Sequence, residues 1–149
     1  MGWETNLLTG IAEHLHAHDV AVWRPDGAAY TAADTAIVLG AMPPHPDRVV
    51  LLNLYPVGSD GIGDVTEGLQ VRCRAGRDPR TVLDLSGAAR DVLDGLAAVN
   101  LGGVWVSQIF HRSGEELTAL PSVDVQADRV ERVDNYYIQA SRITALRSP

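Results

Sequence analysis

The sequence contains no lysine and only one cysteine, Cys73, among its 149 residues. A single cysteine excludes an internal disulfide bond and a zinc site built from several cysteines. There is also no apolar run near the roughly 20 residues that a membrane-spanning helix needs, and the first residues lack the basic and apolar segments of a signal peptide. These absences predict a protein that needs no membrane and that folds and acts in the cytoplasm in which it is made.

Positive charge is scarce as well. Twelve arginines face nineteen acidic residues, which gives a formal net charge of −7. A protein that derives its affinity from DNA phosphates needs clustered cations, and the sequence has no such cluster. The acidic composition suits instead a protein partner, or the wall of a channel to which DNA must not adhere.

The sequence also lacks a recognisable catalytic or ligand-binding motif. His14 and His18 lie four residues apart and could share a metal ion, but no carboxylate pair stands nearby, and a solvated helix end is the favoured interpretation. The Gly- and Asp-rich segment 58–64 lacks both the ligand set of a calcium loop and the Lys-Ser/Thr pair of a phosphate-binding loop. No Gly-x-Ser-x-Gly motif is present. We therefore predict no catalytic residues, no metal site, no cofactor and no enzymatic activity.

Periodicity and turn signals predict two main helices. In the first, Trp3, Leu7, Ile11 and Leu15 recur at helical spacing, and the pattern fades near His18. The second begins at Asp78 and Pro79, a favourable N-cap followed by a favourable first helical residue.

Short β-prone runs predict strands between and after these helices. Their positions are 20–23, 36–39, 48–55, 67–74, 104–110 and 135–141. Pro56 is expected to end the third run, and residues 56–65 to form a long hairpin tip. Residues 111–134 are expected to be irregular. The interpretation is a single α+β domain over residues 1–149, in which the two helices pack on a mostly antiparallel sheet of four to six strands.

Several segments, taken in order, resemble the minor capsid and tail terminator proteins of siphophages that infect actinobacteria. The matching segments are 3–12, 22–27, 34–40, 43–48, 69–72, 78–79 and 134–137. The resemblance covers nearly the whole chain, and its specificity lies in the order and spacing of the segments.

The resemblance implies a tail-terminator-like subunit of a ring, usually six-fold, at the head–tail neck of the virion, assembled in the cytoplasm of the bacterial host. Such a ring caps the tail tube, ends its polymerisation and offers a surface for head–tail joining. Its partners would be further copies of itself, the major tail tube protein and the head connector or completion protein, while DNA passes through the lumen without specific binding.

Two groups of residues are the candidate sites of this assembly. Val57, Asp60, Ile62 and Asp64 form a loop expected to face the tube or the lumen, where the acidic groups would repel DNA. The candidate subunit or neck contacts are Leu117, Leu120, Val123, Tyr136 and Tyr137. Because Tyr136 and Tyr137 are adjacent on a strand, they must face opposite sides of the sheet.

Two other functions remain open. A head-completion or connector protein of the same neck would share the size, acidity and ring habit of a terminator. A protein of a different class, a cytoplasmic small-molecule binding module with a pocket beneath the sheet, is the further alternative.

Overall fold

A computed structural model describes residues 2–117 and 129–143 of the chain. The elements, in chain order, are α1 (Trp3–Ala17), β1 (Thr35–Leu39), β2 (Arg48–Ser59), β3 (Asp64–Ala75), α2 (Pro79–Leu93), β4 (Ala97–Leu101), β5 (Val104–Leu117) and β6 (Val130–Ser141). Neither of these helices is long and apolar enough to cross a membrane.

The two predicted helices are confirmed. In α2 a carboxylate oxygen of Asp78 accepts a hydrogen bond from the backbone N–H of Arg80 at 2.9 Å, and Pro79 occupies the first helical position. Leu7, Ile11 and Leu15 of α1 are fully buried. Helix α2 thus begins where its N-cap predicts, and α1 buries the face that its apolar spacing predicts.

The strands form one six-stranded sheet in the order β1-β2-β3-β6-β5-β4. Among these described strands, only β1 and β2 pair in parallel, and every other neighbouring pair is antiparallel. The predicted α+β fold with a mostly antiparallel sheet is therefore confirmed, and the sheet is mixed.

The middle of the sheet is regular and its flanks are not. β3 and β6 pair without a register shift, from the facing pair Asp64 and Ser141 at one end to the facing pair Ala75 and Val130 at the other. In contrast, β2 shifts register between Pro56 and Gly58, and β5 shifts twice against β6, around Ser107 and around Arg112. Each shift adds one residue to the flanking strand, as in a β-bulge.

The prediction that Pro56 ends the third strand is wrong. β2 continues to Ser59, β3 begins at Asp64, and the expected long tip is a short turn. The reason is that β1 pairs with β2 only as far as Leu52. Beyond that point β2 has only one neighbour, β3, among the described strands, and an edge strand tolerates a proline that donates no hydrogen bond.

The region predicted to be irregular is partly strand. β5 extends to Leu117 and β6 begins at Val130, while residues 118–128 lie outside the described part of the chain. Polar residues enter these strands because an antiparallel strand can present alternate side chains to water.

Two short segments differ from the prediction as well. Residues 20–23 contribute one isolated bridge, Val22 to Ala36, instead of a strand. The strand β4 was not predicted. It forms because Gly102 and Gly103, with φ of 60° and 84°, close a two-residue hairpin that folds Ala97–Leu101 against β5.

Helix α1 approaches the turn between β4 and β5 at backbone contact distance. A Cβ atom on Gly10 would lie 2.3 Å from the backbone N of Gly102 and 2.4 Å from the carbonyl carbon of Leu101. A Cβ atom on Gly102 would lie 1.8 Å from the carbonyl oxygen of Asn6. The two glycines are therefore what allows the helix to pack against this end of the sheet.

Candidate assembly surface

The two faces of the sheet differ in what covers them. The buried side chains that form the main core with α1 and α2, such as Val50, Leu69 and Ile138, all belong to one face. Side chains alternate along a strand, so their neighbours in sequence point to the opposite face, on which neither described helix packs. We call this second face the open face.

One half of the open face, next to β1, is covered by the loop before β2. The guanidinium group of Arg74 donates hydrogen bonds to the carbonyl oxygens of Pro46 at 2.7 Å and Asp47 at 3.1 Å. Arg129 donates to the carbonyl oxygen of Pro44 at 2.7 Å. Val49 beneath this loop is fully buried, so this half is a second, smaller core.

The other half of the open face carries no charged residue in three consecutive rows of paired residues across β2, β3, β6 and β5. The rows are Gly58, Thr66, Gln139 and Gln108; Tyr55, Gly68, Tyr137 and Phe110; and Asn53, Gln70, Asn135 and Ser113. We call this surface the open half-face. About a fifth of the chain is charged, so three uncharged rows that span four strands are a distinct feature of the protein.

The central row of the open half-face is aromatic. The ring of Tyr55 lies over Gly68, where an added Cβ atom would come within 2.1 Å of the ring carbons. The rings of Phe110 and Tyr137 meet edge to face, with centroids 5.9 Å apart, and the guanidinium carbon of Arg112 lies 5.0 Å from the centroid of the Tyr137 ring. These contacts hold the aromatic rings in place on an otherwise polar surface.

The hairpin tip between β2 and β3 is held together by one carboxylate. An oxygen of Asp60 accepts hydrogen bonds from the backbone N–H groups of Ile62, Gly63 and Asp64 at 2.8, 3.0 and 3.1 Å. Asp60 therefore shapes the turn, and its substitution would alter the backbone as well as the charge. The side chains of Val57 and Ile62 are exposed, 42% and 56% of their surface respectively.

Near this tip the surface forms an open groove of about 510 Å³. Its lining includes Ser59, Asp60, Thr66, Ser107 and Gln139, and therefore offers hydroxyl, amide and carboxylate groups. These lining residues include no histidine, cysteine or basic side chain.

The family to which the chain is similar is that of the bacteriophage tail terminator proteins, whose profile matches residues 14–142. The chain belongs to this family. It is accordingly a structural protein of a phage tail or neck, and associated with the virion. The resemblance inferred from the sequence is confirmed.

A solved structure shows the same fold as this tail terminator family member. A chain in the virion of a native gene transfer agent particle superposes with a TM-score of 0.61 at 15% sequence identity. The alignment covers 91% of this chain and 95% of that chain. No curated protein matches the sequence significantly.

The structure separates the two adjacent tyrosines of this tail terminator family member. Tyr136 is fully buried, whereas Tyr137 lies in the open half-face. Tyr136 is therefore removed from the candidate contacts, because its side chain does not reach the surface of the folded subunit. Leu120 and Val123 lie outside the described residues, as does the side chain of Leu117.

Beneath α2 lies a group of buried polar side chains. Asp134, 3% exposed, lies 2.8 Å from Nε2 of His111 and 3.1 Å from Nε of Arg132. Burial raises the pKa of the Cys73 thiol to about 12, which leaves it unreactive. Within the described ranges no three His, Cys, Asp or Glu side chains are grouped as metal ligands.

The rings of His14 and His18 lie 4.5 Å apart at the end of α1.

Glu67 is a buried carboxyl group on the helix-covered face, 7% exposed, near Glu4 and Arg142. Burial raises its pKa above the ordinary value of 4.5, Arg142 lowers it, and Glu4 raises it. The neutral form is thus favoured in the folded state. The contribution of Glu67 to stability is then greatest at low pH and falls as the pH rises from about 4.5 through the raised pKa.

We expect Glu67→Gln to unfold at a higher temperature than the parent at pH 7, because the variant has no buried charge to create. The difference should shrink toward zero at pH 4, where Glu67 of the parent is protonated. Thermal unfolding followed by circular dichroism at several pH values measures it. The exposed Glu13→Gln is the matched control and should shift the midpoint little. A difference that is equal at pH 4 and pH 7 would contradict the assignment.

Proposed function

We propose that this protein, as one domain over residues 1–149, forms a six-membered ring that caps the tail tube, ends its polymerisation and provides the surface for head–tail joining. Its partners are further copies of itself, the major tail tube protein and the head connector. It is not an enzyme, and it assembles in the cytoplasm of the bacterial host. Family membership supports the tail location, and the open half-face is the observation that supports the proposed ring.

A ring built from two-layered subunits has more room on its outside than on its inside. In closed barrels the bulky helical layer accordingly lies outside and the sheet lies inside. Placed in this way, the open half-face lines the channel. The paired rows of this wall offer amide, hydroxyl and aromatic groups, and the guanidinium of Arg112 beside them lies against the ring of Tyr137. The net charge of −7 disfavours adhesion of DNA phosphates elsewhere on the protein.

The hairpin tip then projects from one end of the ring toward the tail tube. Val57 and Ile62 are the exposed apolar side chains of this tip, suited to a protein partner. The carboxylate of Asp64 remains a candidate for facing the tube or lumen. The carboxylate of Asp60 shapes the turn that leads to Asp64. Leu117, Leu120 and Val123 remain candidate contacts to a neighbouring copy or to the head connector. Tyr137, in the open half-face, would line the channel.

Electron microscopy of particles from a phage or prophage that lacks this gene tests the proposal. We expect overlong, unterminated tails beside unattached heads that are filled with DNA. A plasmid copy of the gene should restore normal tail length and is the control.

Two other outcomes would contradict the proposal. Tails of normal length, free beside heads that have lost their DNA, would assign the protein to head completion. Intact, infectious particles would exclude a structural role and turn attention to a cytoplasmic binding module.

A further inference from the structure

The large apolar side chains that remain exposed are concentrated at one end of the molecule. Among the described residues the three most exposed are Ile143, Ile62 and Trp105, with 59%, 56% and 48% of their surface accessible. Single exposed apolar residues are common on soluble proteins, whereas a cluster of them marks a site of interaction. The strand registers bring these three side chains to the same end of the sheet, and we call them the end patch.

Two members of the end patch lie at the hairpin tip. Ile62 is part of the turn between β2 and β3. The backbone N–H of Arg142 donates to the carbonyl oxygen of Gly63 at 2.7 Å, so the chain leaves β6 beside this turn. Ile143 follows directly and therefore lies next to the tip that carries Ile62.

Trp105 reaches the same end of the sheet from β5. Val106 pairs with Ala140, so the next row toward the end of β6 contains Trp105 and Ser141. Ser141 in turn pairs with Asp64, the first residue of β3 after the tip. Neighbouring strands are about 4.8 Å apart, so the end patch spans little more than the width of three strands.

The end patch rests on a fixed base. The indole N–H of Trp3 in α1 donates to the carbonyl oxygen of Ser141 at 3.1 Å, and the guanidinium carbon of Arg142 lies 4.9 Å from the centroid of the Trp3 ring. Arg142 also forms an ion pair with Glu4. These contacts tie the start of α1 to the end of β6, so little order has to be gained when a partner binds.

The charged groups that border the end patch are mostly acidic. The cation of Arg142 is matched by Glu4, whereas Asp60 and Asp64 add two exposed carboxylates at the tip. A partner that fits this surface has apolar side chains opposite the patch and arginine or lysine side chains around them.

The opposite end of the sheet has a different character. Next to the start of β2 and the end of β3 it exposes the charged residues Asp47, Arg48, Arg77 and Asp78. In the proposed function the tail is capped first and is then joined to a head. A surface that waits for its partner must stay soluble without it, whereas permanent contacts are commonly apolar. The apolar end is therefore suited to the tail tube and the charged end to the head.

We propose that the end patch binds the last ring of the major tail tube protein, with Trp105 and Ile143 added to the apolar side chains of the tip. The inference rests on the proposed function and names the side chains that make its contact with the tube. Tryptophan is frequent among the side chains that dominate binding energy in interfaces. In a six-membered ring the patch is repeated around the axis, so contacts that are weak singly combine into a permanent cap.

The single variants Ile62→Asp and Trp105→Asp test the proposal in a phage that carries them in place of the parent gene. Each should lower the affinity of a subunit for the tube roughly tenfold or more, because an apolar side chain is lost from the contact. We therefore expect overlong tails by electron microscopy. Leu83→Asp, which adds the same charge at an exposed apolar residue of α2, is the matched control and should give tails of normal length.

The outcomes separate this inference from the proposed function. If loss of the gene gives overlong tails but both variants give normal, infectious particles, the end patch does not bind the tube and the terminator function stands. Normal tails that fail to join heads in the two variants would assign the patch to the head connector and overturn the inference. Normal tails after loss of the gene would contradict the proposed function itself.

Photo-cross-linking identifies the partner without a disruptive substitution. Ile62→Cys is labelled with benzophenone maleimide, while the native Cys73 is fully buried and remains unlabelled. The labelled protein is added to an extract of cells infected with the phage that lacks the gene, and mass spectrometry after illumination should identify adducts with the tail tube protein. Leu83→Cys, labelled in the same way, is the control.

Adducts with the tube protein no stronger than those of the control would overturn the inference, as would adducts only with further copies of this chain. Failure of the unlabelled parent protein to restore infectivity to the extract would instead contradict the proposed function.

Discussion

Replacing Gly10 with alanine is expected to lower the free energy of unfolding by about 3 kcal/mol or more, at the upper end of overpacking substitutions. The added methyl group would lie 2.3 Å from the backbone N of Gly102 and 2.4 Å from the carbonyl carbon of Leu101. These are backbone atoms of a tight turn, so no side chain can rotate away. The helix α1 would have to separate from the β4–β5 turn. Urea unfolding followed by circular dichroism measures the loss.

Gly87 provides the matched control, because it is also a helical glycine. Nothing lies within 4 Å of a Cβ atom built at Gly87 in α2. Gly87→Ala should therefore raise the free energy of unfolding by about 1 kcal/mol, the difference in helix propensity. If Gly10→Ala behaved like Gly87→Ala, the close approach of α1 to the turn would be wrong.

The second large effect concerns the channel wall. Gln139→Arg, in the open half-face, is expected to reduce infectivity roughly tenfold or more while tails keep their length and remain joined to heads. In a six-membered ring the substitution places six cations around the channel, and cations that contact DNA phosphates add affinity with each contact. Plaque titre, electron microscopy of particles and the rate of DNA release in vitro measure the effect.

Thr81→Arg adds the same charge to the exposed surface of α2, in the helical layer, and should leave infectivity near that of the parent. Gln139 is itself exposed, so its substitution should change stability little. Equal infectivity of the two variants would contradict the placement of the open half-face in the channel. Because DNA binding weakens with salt, release by the Gln139→Arg particles should recover as salt rises.

Local signals in the sequence were sufficient for the elements that local chemistry determines. Asp78 and Pro79 marked the start of α2, and the structure shows the side-chain cap that this pair predicts. The alternation of Leu69, Val71 and Cys73 assigned the buried face of β3 correctly. Capping and amphipathic spacing are properties of a few neighbouring residues, and so they can be read without knowledge of the fold.

Features that depend on partners distant in sequence could not be predicted in this way. A proline such as Pro56 breaks a central strand but not an edge strand, and among the described strands it is the short length of β1 that leaves this part of β2 at an edge. The uncharged rows of the open half-face appear only when the registers of four strands are known. The strand β4 had one local signal, the Gly102-Gly103 pair, which is typical of a two-residue hairpin.

The uneven register of the sheet has a consequence for its curvature. The central pair, β3 and β6, matches residue for residue. The three extra residues of the flanking strands are Val57 in β2 and Ser107 and Arg112 in β5. Each extra residue bends its strand and increases the local twist. In a ring built from this sheet, the diameter of the channel is set at these three positions. Insertion or deletion of one residue there would change the bore and leave the core unchanged.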